Sequence, residues 1–522
     1  MQASPSSSPS PPPPKSQKPQ PQRPTVRQML RVRRYGKETE KIMASAPLTP
    51  PKVQRPHPAP RVKTTAMPAL KSQLRSIRAE RRQGTIDAQE CQRRMEAAVE
   101  CFWETTAART PVITPDPTSK RHVLVSFFWR DAKARAVLLF ANRITDEKNL
   151  AESLMQRLPD TDVWHITYRM ETDWRASYCF IPCYDKRSVA DITGVQQVSI
   201  RKALDRGQAD PRNPLQCQNR AGSTLSVVEL KDAPPQPWLG IGTKGGPRGR
   251  VTSHELGNGR RAWVYEPPVE AEARHRDRPQ TQPQTQPQTQ AQQPQQQPQM
   301  QQPPQAAGAL IMFDGDMWMC TGRFHETLDN LIGTGRIPPL YAVLLGTDNI
   351  DARWQELSEG SGIEDYIATE LLPWARQRFP ISTDAERIIV AGQSLGALSA
   401  LWTAIRHPES IRNVISQSAS LWRGSLMERL EDATDPLLQS LSGRIYLEVG
   451  KQEWVLRPYH RRLARLLKGC ERDEFSGQSK LAQSTGQSGL AHKYVEYNGG
   501  HDYACWRGGI ADGLCWLTDA WQ

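Results

Sequence analysis

The sequence predicts two folded units of different kinds: an N-terminal β-sandwich of Ig-like type and a C-terminal α/β domain with a mostly parallel sheet. Three observations carry that reading. Short runs rich in Val, Phe, Trp and Ile, separated by polar turns, begin near residue 120. Beyond residue 239 such runs alternate with helix-like stretches, as strands and crossover helices do around a parallel sheet. One junction, "IIVAGQSLGALSAL" from Ile388 to Leu401, joins an apolar strand to an apolar helix through Gly-Gln-Ser-Leu-Gly.

Residues 1–84 are expected to be a disordered, basic, Pro-rich tail, with too little apolar content to offset chain entropy. Inside it "VRQMLRVRRYGKETEKIM" could form a short basic amphipathic helix, although a solvated basic tail is the plainer reading. Residues 71–108 read as helix, with Met95, Ala98, Cys101 and Phe102 recurring at helical spacing. The sandwich unit spans 85–238. "HVLVSFFW", "RAVLLFA", "DVWHITYRM" and "RASYCFIP" are its strands, and "DAPPQPWLG" is its Pro-rich exit.

The second unit spans 239–522. Gly257-Asn258-Gly259 joins two strand-like runs, a hairpin signal. "ALIMFDGD", "YAVLLGTD", "RIIVAGQS", "NVISQSAS" and "RIYLEVGKQE" are further strands, several separated by helical stretches such as "IEDYIATELLPWARQRF" and "RPYHRRLARLLKG". The Gln/Pro-rich repeat at 274–307 separates two strands of this same unit. It is expected to be a long surface loop, since loop-closure entropy grows slowly with length.

Charge and cysteines narrow the function class. The net charge of +13 lies in the first hundred residues, which hold 20 Lys and Arg against 7 Asp and Glu; the rest holds 48 of each. Basicity therefore describes a tail, not a substrate groove, and no nucleic-acid partner is expected. Nine cysteines stand singly without a Cys-x-x-Cys pair, which argues against a disulfide framework or a zinc site and for a reducing compartment. The N-terminal stretch has no apolar core of a signal peptide, and no run of about 18 apolar residues predicts a membrane span. A soluble cytoplasmic protein, with no metal and no cofactor of its own, is the expectation.

Gly392-Gln393-Ser394-Leu395-Gly396 matches G-x-S-x-G in the strand–turn–helix setting of a nucleophile elbow, which makes the second unit an α/β-hydrolase domain. The tight turn needs small flanking residues, and the helix N-terminus offers N–H groups where an oxyanion would form. Ser394 needs a base. Of His407, His460, His492 and His501, only His501 follows the last strand, where the base of this fold belongs. His407 reads as a structural cap, and His460 sits on a basic helix face. The acid should end the strand between serine and histidine. Glu453 is favoured, with Glu448 or no third member as alternatives. The oxyanion donors are expected to be the N–H of Leu395 and that of Gly315 or Asp316.

These residues lead to a family. The chain resembles the enterochelin (enterobactin) esterases, siderophore esterases of the esterase-D-like α/β-hydrolases. In the second unit the resemblance rests on "IMFDGDMW", "RWQEL", "VAGQSLGALSALW", "ISQSASLWR", "EVGKQEWVLRP" and "GGHDYACWRGGI". In the first it rests on "VSFFWRD", "LPDTDVWHITYRMETDWRASYCFIP" and "DPRNPLQ". It covers about 89–522 apart from the Gln-rich insertion; the tail is a departure from it. The resemblance implies hydrolysis of the serine-lactone esters of catecholate siderophores, free or iron-loaded, in the cytoplasm. It implies Ser394, His501 and Glu453 as catalytic residues, and Arg353 and Arg507 as substrate or active-site support positions. Trp318, Trp354, Trp402 and Trp422 lie in or near the candidate pocket loops. The competing readings are a serine esterase of the same fold acting on another acyl ester, with the sandwich as a binding module, and a non-catalytic carrier or nucleic-acid-binding protein.

Overall fold

A computed structural model describes residues 50–63, 66–193, 204, 206–240, 248–257, 259–268, 306–347, 350–432, 434–435, 437, 440, 442–470 and 490–521. The basic stretch at 26–43 and the Gln/Pro-rich repeat through residue 305 lie outside them.

The expected disordered tail ends earlier than residue 84. Residues 68–82 form helix α1 (Pro68–Arg82), which packs against α2 (Ala88–Glu104). Pro68 suits the first turn of α1, where its missing N–H leaves nothing unpaired. Leu70, Leu74 and Ile77 recur on one face and are buried with Met95, Ala98, Phe102 and Trp103 of α2. Each fully buried aliphatic side chain contributes about 1.5–3 kcal/mol, enough to order a helix that is otherwise strongly charged. Asp87 caps α2, its carboxylate accepting from Glu90 N. Gly84, with φ 74°, separates the two helices where one was expected. Cys101, grouped with the buried face of that helix, is exposed.

The front unit has eight strands: β1 (Val112–Pro115), β2 (His122–Arg130), β3 (Ala136–Ala141), β4 (Gln156–Arg157), β5 (Val163–Glu171), β6 (Arg175–Cys183), β7 (Gln216–Gln218) and β8 (Thr224–Glu229). They form two antiparallel four-stranded sheets, ordered β1-β2-β5-β4 and β3-β6-β8-β7. Val125, Phe127, Ile166 and Tyr168 of one sheet share a core with Val137, Leu139, Tyr178 and Phe180 of the other, so the sheets pack face to face. The segment before α1 joins this unit: Val62 N donates to Thr167 O at 2.9 Å and Arg169 N to Pro60 O at 3.0 Å, beside β5.

The second unit is one eight-stranded sheet. Its strands are β9 (Arg250–Glu255), β10 (Arg261–Glu266), β11 (Gly308–Phe313), β12 (Leu340–Leu345), β13 (Ile388–Gln393), β14 (Asn413–Gln417), β15 (Arg444–Gly450) and β16 (Ala491–Tyr497). The order is β16-β15-β14-β13-β11-β12-β10-β9. The six strands from β16 to β12 run parallel, and the β9–β10 hairpin adds antiparallel at the β12 edge. The Gln/Pro-rich repeat therefore connects two strands of one sheet, β10 and β11. Helices α3 (Phe324–Gly333), α4 (Ile350–Glu356), α5 (Leu395–Arg406), α6 (Arg457–Cys470) and α7 (Tyr503–Thr518) accompany the sheet. Buried side chains fill two cores, one holding α5 and the other holding α3 and α7. Among the described residues no helix is long and apolar enough to cross a membrane.

Candidate active site

The strand ends of β11, β13, β14, β15 and β16 bring the chemistry together. Ser394 stands between β13 and α5 with φ 59° and ψ −118°, a backbone that costs about 1–3 kcal/mol for a residue with a side chain. The turn is held by Ser394 N donating to Gln417 O at 3.0 Å and by Ser420 N donating to Ser394 O at 3.1 Å. A Cβ on Gly392 would fall 2.3 Å from the Gly396 carbonyl, so the elbow closes only with glycine there. Ser394 Oγ lies 3.4 Å from Ser420 Oγ.

His501 follows β16, as expected. Its Nδ1 meets Glu453 Oε2 at 2.7 Å, so the structure joins His501 to Glu453 rather than to Glu448. Glu453 sits just past β15 and is fully buried. Its Oε1 accepts from Ser418 Oγ at 2.6 Å and from Gly450 N at 2.9 Å. Burial pushes this carboxyl up, but the His501 charge and hydrogen bond, Arg143 and Ser418 outweigh it and bring it to about 2. Glu448 instead lies against Gly509 of α7, accepts from Gln417 Nε2 at 2.6 Å and is pushed by burial up to about 8. A group that is largely neutral at pH 7 could not hold an imidazolium.

The front unit grips the His501 loop. Ser177 N, on β6, donates to Asp502 Oδ2 at 2.6 Å, and Asp502 also caps α7 by accepting from Ala504 N. Arg175 N donates to Asn498 O at 3.0 Å, and Asn142 Nδ2 donates to His501 O at 3.1 Å. Gly499 and Gly500 precede His501, and neither has a positive φ. Their reason is space. A Cβ on Gly499 would meet Arg175 O at 2.8 Å, and one on Gly500 would meet Arg143 Cγ at 2.1 Å. Trp506 stands edge-on to the imidazole, ring centroids 4.7 Å apart, and donates to Ser418 Oγ at 2.9 Å.

Leu395 opens α5 and Gly315 precedes a helical turn, Asp316–Thr321, so neither N–H has an intrahelical partner. Asp314, with φ 60°, shapes the second of these turns. It is fully buried between two arginines: Arg353 Nε and Nη2 reach its two carboxylate oxygens at 2.7 Å each, and Arg220 Nη1 lies 2.6 Å away. Arg353 also donates to Gln393 O at 3.2 Å. Its guanidinium fixes the β11 turn beside the elbow, the support side of the role expected for it. Arg507 makes structural contacts. It donates to Gln236 Oε1 and Gln216 O, stapling α7 to the front unit.

His460 is not on an open basic face. It is fully buried, its Nε2 accepting from Ala419 N at 2.9 Å and its Nδ1 donating to Leu456 O at 3.0 Å. Of the four tryptophans near the pocket loops, Trp318 bonds Gln393 and Trp402 fills the core. Trp354 packs partly buried under Arg423, and Trp422 sits in a small cluster with Val449. The sequence reading missed Ser418, Trp454, Trp506, Arg143, Arg220 and Tyr497, whose hydroxyl donates to Glu453 Oε1 at 3.3 Å. Only the nearness of Trp454 and Trp506 to Glu453 and His501 in sequence could have signalled any of them. Among the described residues no group of three or more His, Cys, Asp or Glu side chains could hold a metal ion.

Comparison with known proteins matches two family models in order. The N-terminal model of enterochelin esterases covers residues 124–239, and a model named Esterase covers 283–517. The chain is 28% identical over 421 residues to the iron(III) enterobactin esterase of Escherichia coli O6:H1, covering 76% of this chain and 91% of that one. It is 28% identical over 427 residues to the iron(III) salmochelin esterase of the same organism, covering 79% and 92%. The crystal structure of ferric enterobactin esterase from Salmonella typhimurium superposes with a TM-score of 0.61 at 25% identity, over 81% of this chain and 99% of that one.

Proposed function

The chain belongs to the enterochelin esterase family of carboxylic ester hydrolases, and from that premise we propose that it opens the serine-trilactone ring of enterobactin-type catecholate siderophores, ferric or iron-free, with Ser394 as nucleophile. The observation that carries the reading is the His501–Glu453 pair, 2.7 Å apart, formed past the ends of β16 and β15 in the sheet whose β13 ends in the Ser394 elbow. Glu453 fixes Nδ1 as the protonated nitrogen, which leaves Nε2 as the base.

In the first half-reaction Ser394 Oγ bonds to a lactone carbonyl carbon while its proton passes to His501 Nε2. The Leu395 and Gly315 N–H groups hold the oxyanion. Collapse breaks the ring ester C–O bond, and His501 returns the proton to the serine alkoxide of the substrate. Because the ester is part of a ring, the freed alcohol stays attached to the acyl group. The acyl-enzyme therefore carries the whole opened siderophore. In the second half-reaction water gives a proton to His501 Nε2 and its oxygen to the carbonyl carbon; the bond to Ser394 Oγ breaks, and His501 passes the proton to that oxygen. Iron enters and leaves with the substrate. The free thiols among the described cysteines agree with a reducing, cytoplasmic setting.

The test is chromatographic. The purified protein and Ser394→Ala are incubated with ferric and iron-free enterobactin and with p-nitrophenyl butyrate. Linear dihydroxybenzoylserine products from the wild type, reduced at least about 10³-fold in the variant, are the expected outcome. Turnover of the simple ester alone would discard the siderophore and retain the same-fold esterase.

A further inference from the structure

Arg143 has no part in the reading above, yet it stands beside both members of the His501–Glu453 pair. It lies in the turn after β3 with φ 64°, a conformation that a non-glycine residue holds at a cost of about 1–3 kcal/mol. The turn is closed by Ile144 N and Thr145 N donating to Ala141 O, at 3.0 and 2.9 Å. Arg55, from the segment before α1, braces it from outside. Its Nη2 donates to Arg143 O at 3.0 Å and Ile144 O at 2.7 Å, and its Nη1 pairs with Asp146 at 3.0 Å.

The kink carries the Arg143 side chain over Gly500, next to His501, and onto the ring of Trp454, next to Glu453. Its guanidinium carbon is 5.3 Å from that ring's centroid. Arg55 lies against the same ring at 5.7 Å. Arg55 is paired with Asp146, and Arg143 is one of the cations that favour the buried Glu453 carboxylate. Among the described residues the Arg143 guanidinium makes no direct ion pair and no hydrogen bond, so its N–H donors stay open. A half-buried cation, stacked on an indole with open donors at an ester-cleaving site, is fitted to an anionic aromatic ligand.

We propose that Arg143, backed by Arg55 and Trp454, is a specificity-determining residue that takes an anionic aryl arm of the substrate. The identity of that arm as a catecholate rests on the function proposed above. A ferric tris-catecholate carries three negative charges, and adjacent catecholate oxygens match the guanidinium fork, while the indole offers a face to the aryl ring. The N-terminal segment that seemed dispensable thereby acts on substrate choice through Arg55.

The experiment compares selectivity ratios. kcat/KM is measured for ferric and iron-free enterobactin, and for the anionic p-nitrophenyl hemisuccinate and neutral p-nitrophenyl butyrate. The proteins are wild type, Arg143→Gln, Arg143→Lys and Arg55→Ala, each checked for folding by thermal melt. Wild type is expected to favour the anionic member of each pair. Arg143→Gln should lower the ferric-to-iron-free ratio about tenfold to a hundredfold, as loss of a charged hydrogen bond does, chiefly through KM. Arg143→Lys should keep most of the ratio, and Arg55→Ala should lower it by less than Arg143→Gln. A wild-type ratio near one, or a Gln variant that loses activity on both members equally, overturns the proposal and leaves Arg143 as a prop for the His501 loop. If the wild type cleaves the synthetic esters and not the siderophore, the function reading fails by itself, and the hemisuccinate-to-butyrate ratio decides Arg143.

Discussion

Two regions of this molecule each hold a histidine–carboxylate pair, in different surroundings. Near the start of α5, His501 meets Glu453 at 2.7 Å; at its end, His407 meets Asp365 at 2.8 Å. The lengths do not separate them, but the surroundings do. The Glu453 side chain is fully buried and held by Ser418 and the Gly450 amide, whereas that of Asp365 is 43% exposed. His407 has a second carboxylate, Glu409, at 3.4 Å. Burial lowers the His407 imidazole, but Asp365 and Glu409 outweigh it and raise it to about 9. A histidine that stays protonated at neutral pH cannot serve as a base. It can serve as a cation at a helix C-terminus, where positive charge is favoured. The proposed base differs from His407 in two ways: its carboxylate is held from behind, and among the described residues its imidazole meets no second carboxylate.

That comparison is broken most severely by exchanging the acids. Glu453→Gln should lower kcat/KM about 10³- to 10⁴-fold, because a misplaced tautomer disables the base. Asp365→Asn should leave it within about twofold. Equal losses in steady-state assays of the two variants would show that the surroundings do not matter. A milder change sharpens the point: Ser418→Ala removes the hydroxyl that donates to Glu453 Oε1 and accepts from Trp506. It should cost about tenfold in kcat, the weight of one hydrogen bond to a charged group, with a circular dichroism spectrum like that of the wild type.

The smallest effect is one of stability. The folded value of His407 lies above its ordinary 6.5, so its contribution is fully present below about pH 6.5 and is lost as pH rises through about 9. His407→Gln should therefore melt about 2–4 °C below the wild type at pH 6. The difference should close by pH 9.5 or so, with kcat/KM unchanged. A gap that widens toward alkaline pH would have the wrong sign.

The Ser394 turn and the His501–Glu453 contact fall where the sequence put them because each is written locally. Gly392 and Gly396 flank Ser394, and Glu453 and His501 each follow the end of a strand. The partners of Arg353 and Arg507 were not legible, since an arginine's partner is decided by what folding places opposite it. For Arg353 that is Asp314, itself held by Arg220 from the front unit. The Ser177–Asp502 bond joins positions 325 residues apart, and the Asn142–His501 bond positions 359 apart. No local pattern encodes such pairs. Helix over 71–82 was read from the sequence, but that segment was still grouped with the disordered tail through residue 84. Pro-rich and basic composition averaged over the tail outweighed the apolar spacing of Leu70, Leu74 and Ile77.

The central claim is that Ser394 attacks a ring ester and is regenerated by the His501–Glu453 pair. The most direct test is an acid-quenched time course of enzyme with siderophore, read by intact mass and peptide mapping. The expected result is a transient adduct with the full mass of the cyclic siderophore on the peptide holding Ser394, absent in Ser394→Ala. An adduct on another residue, or siderophore turnover that persists in Ser394→Ala, would contradict it.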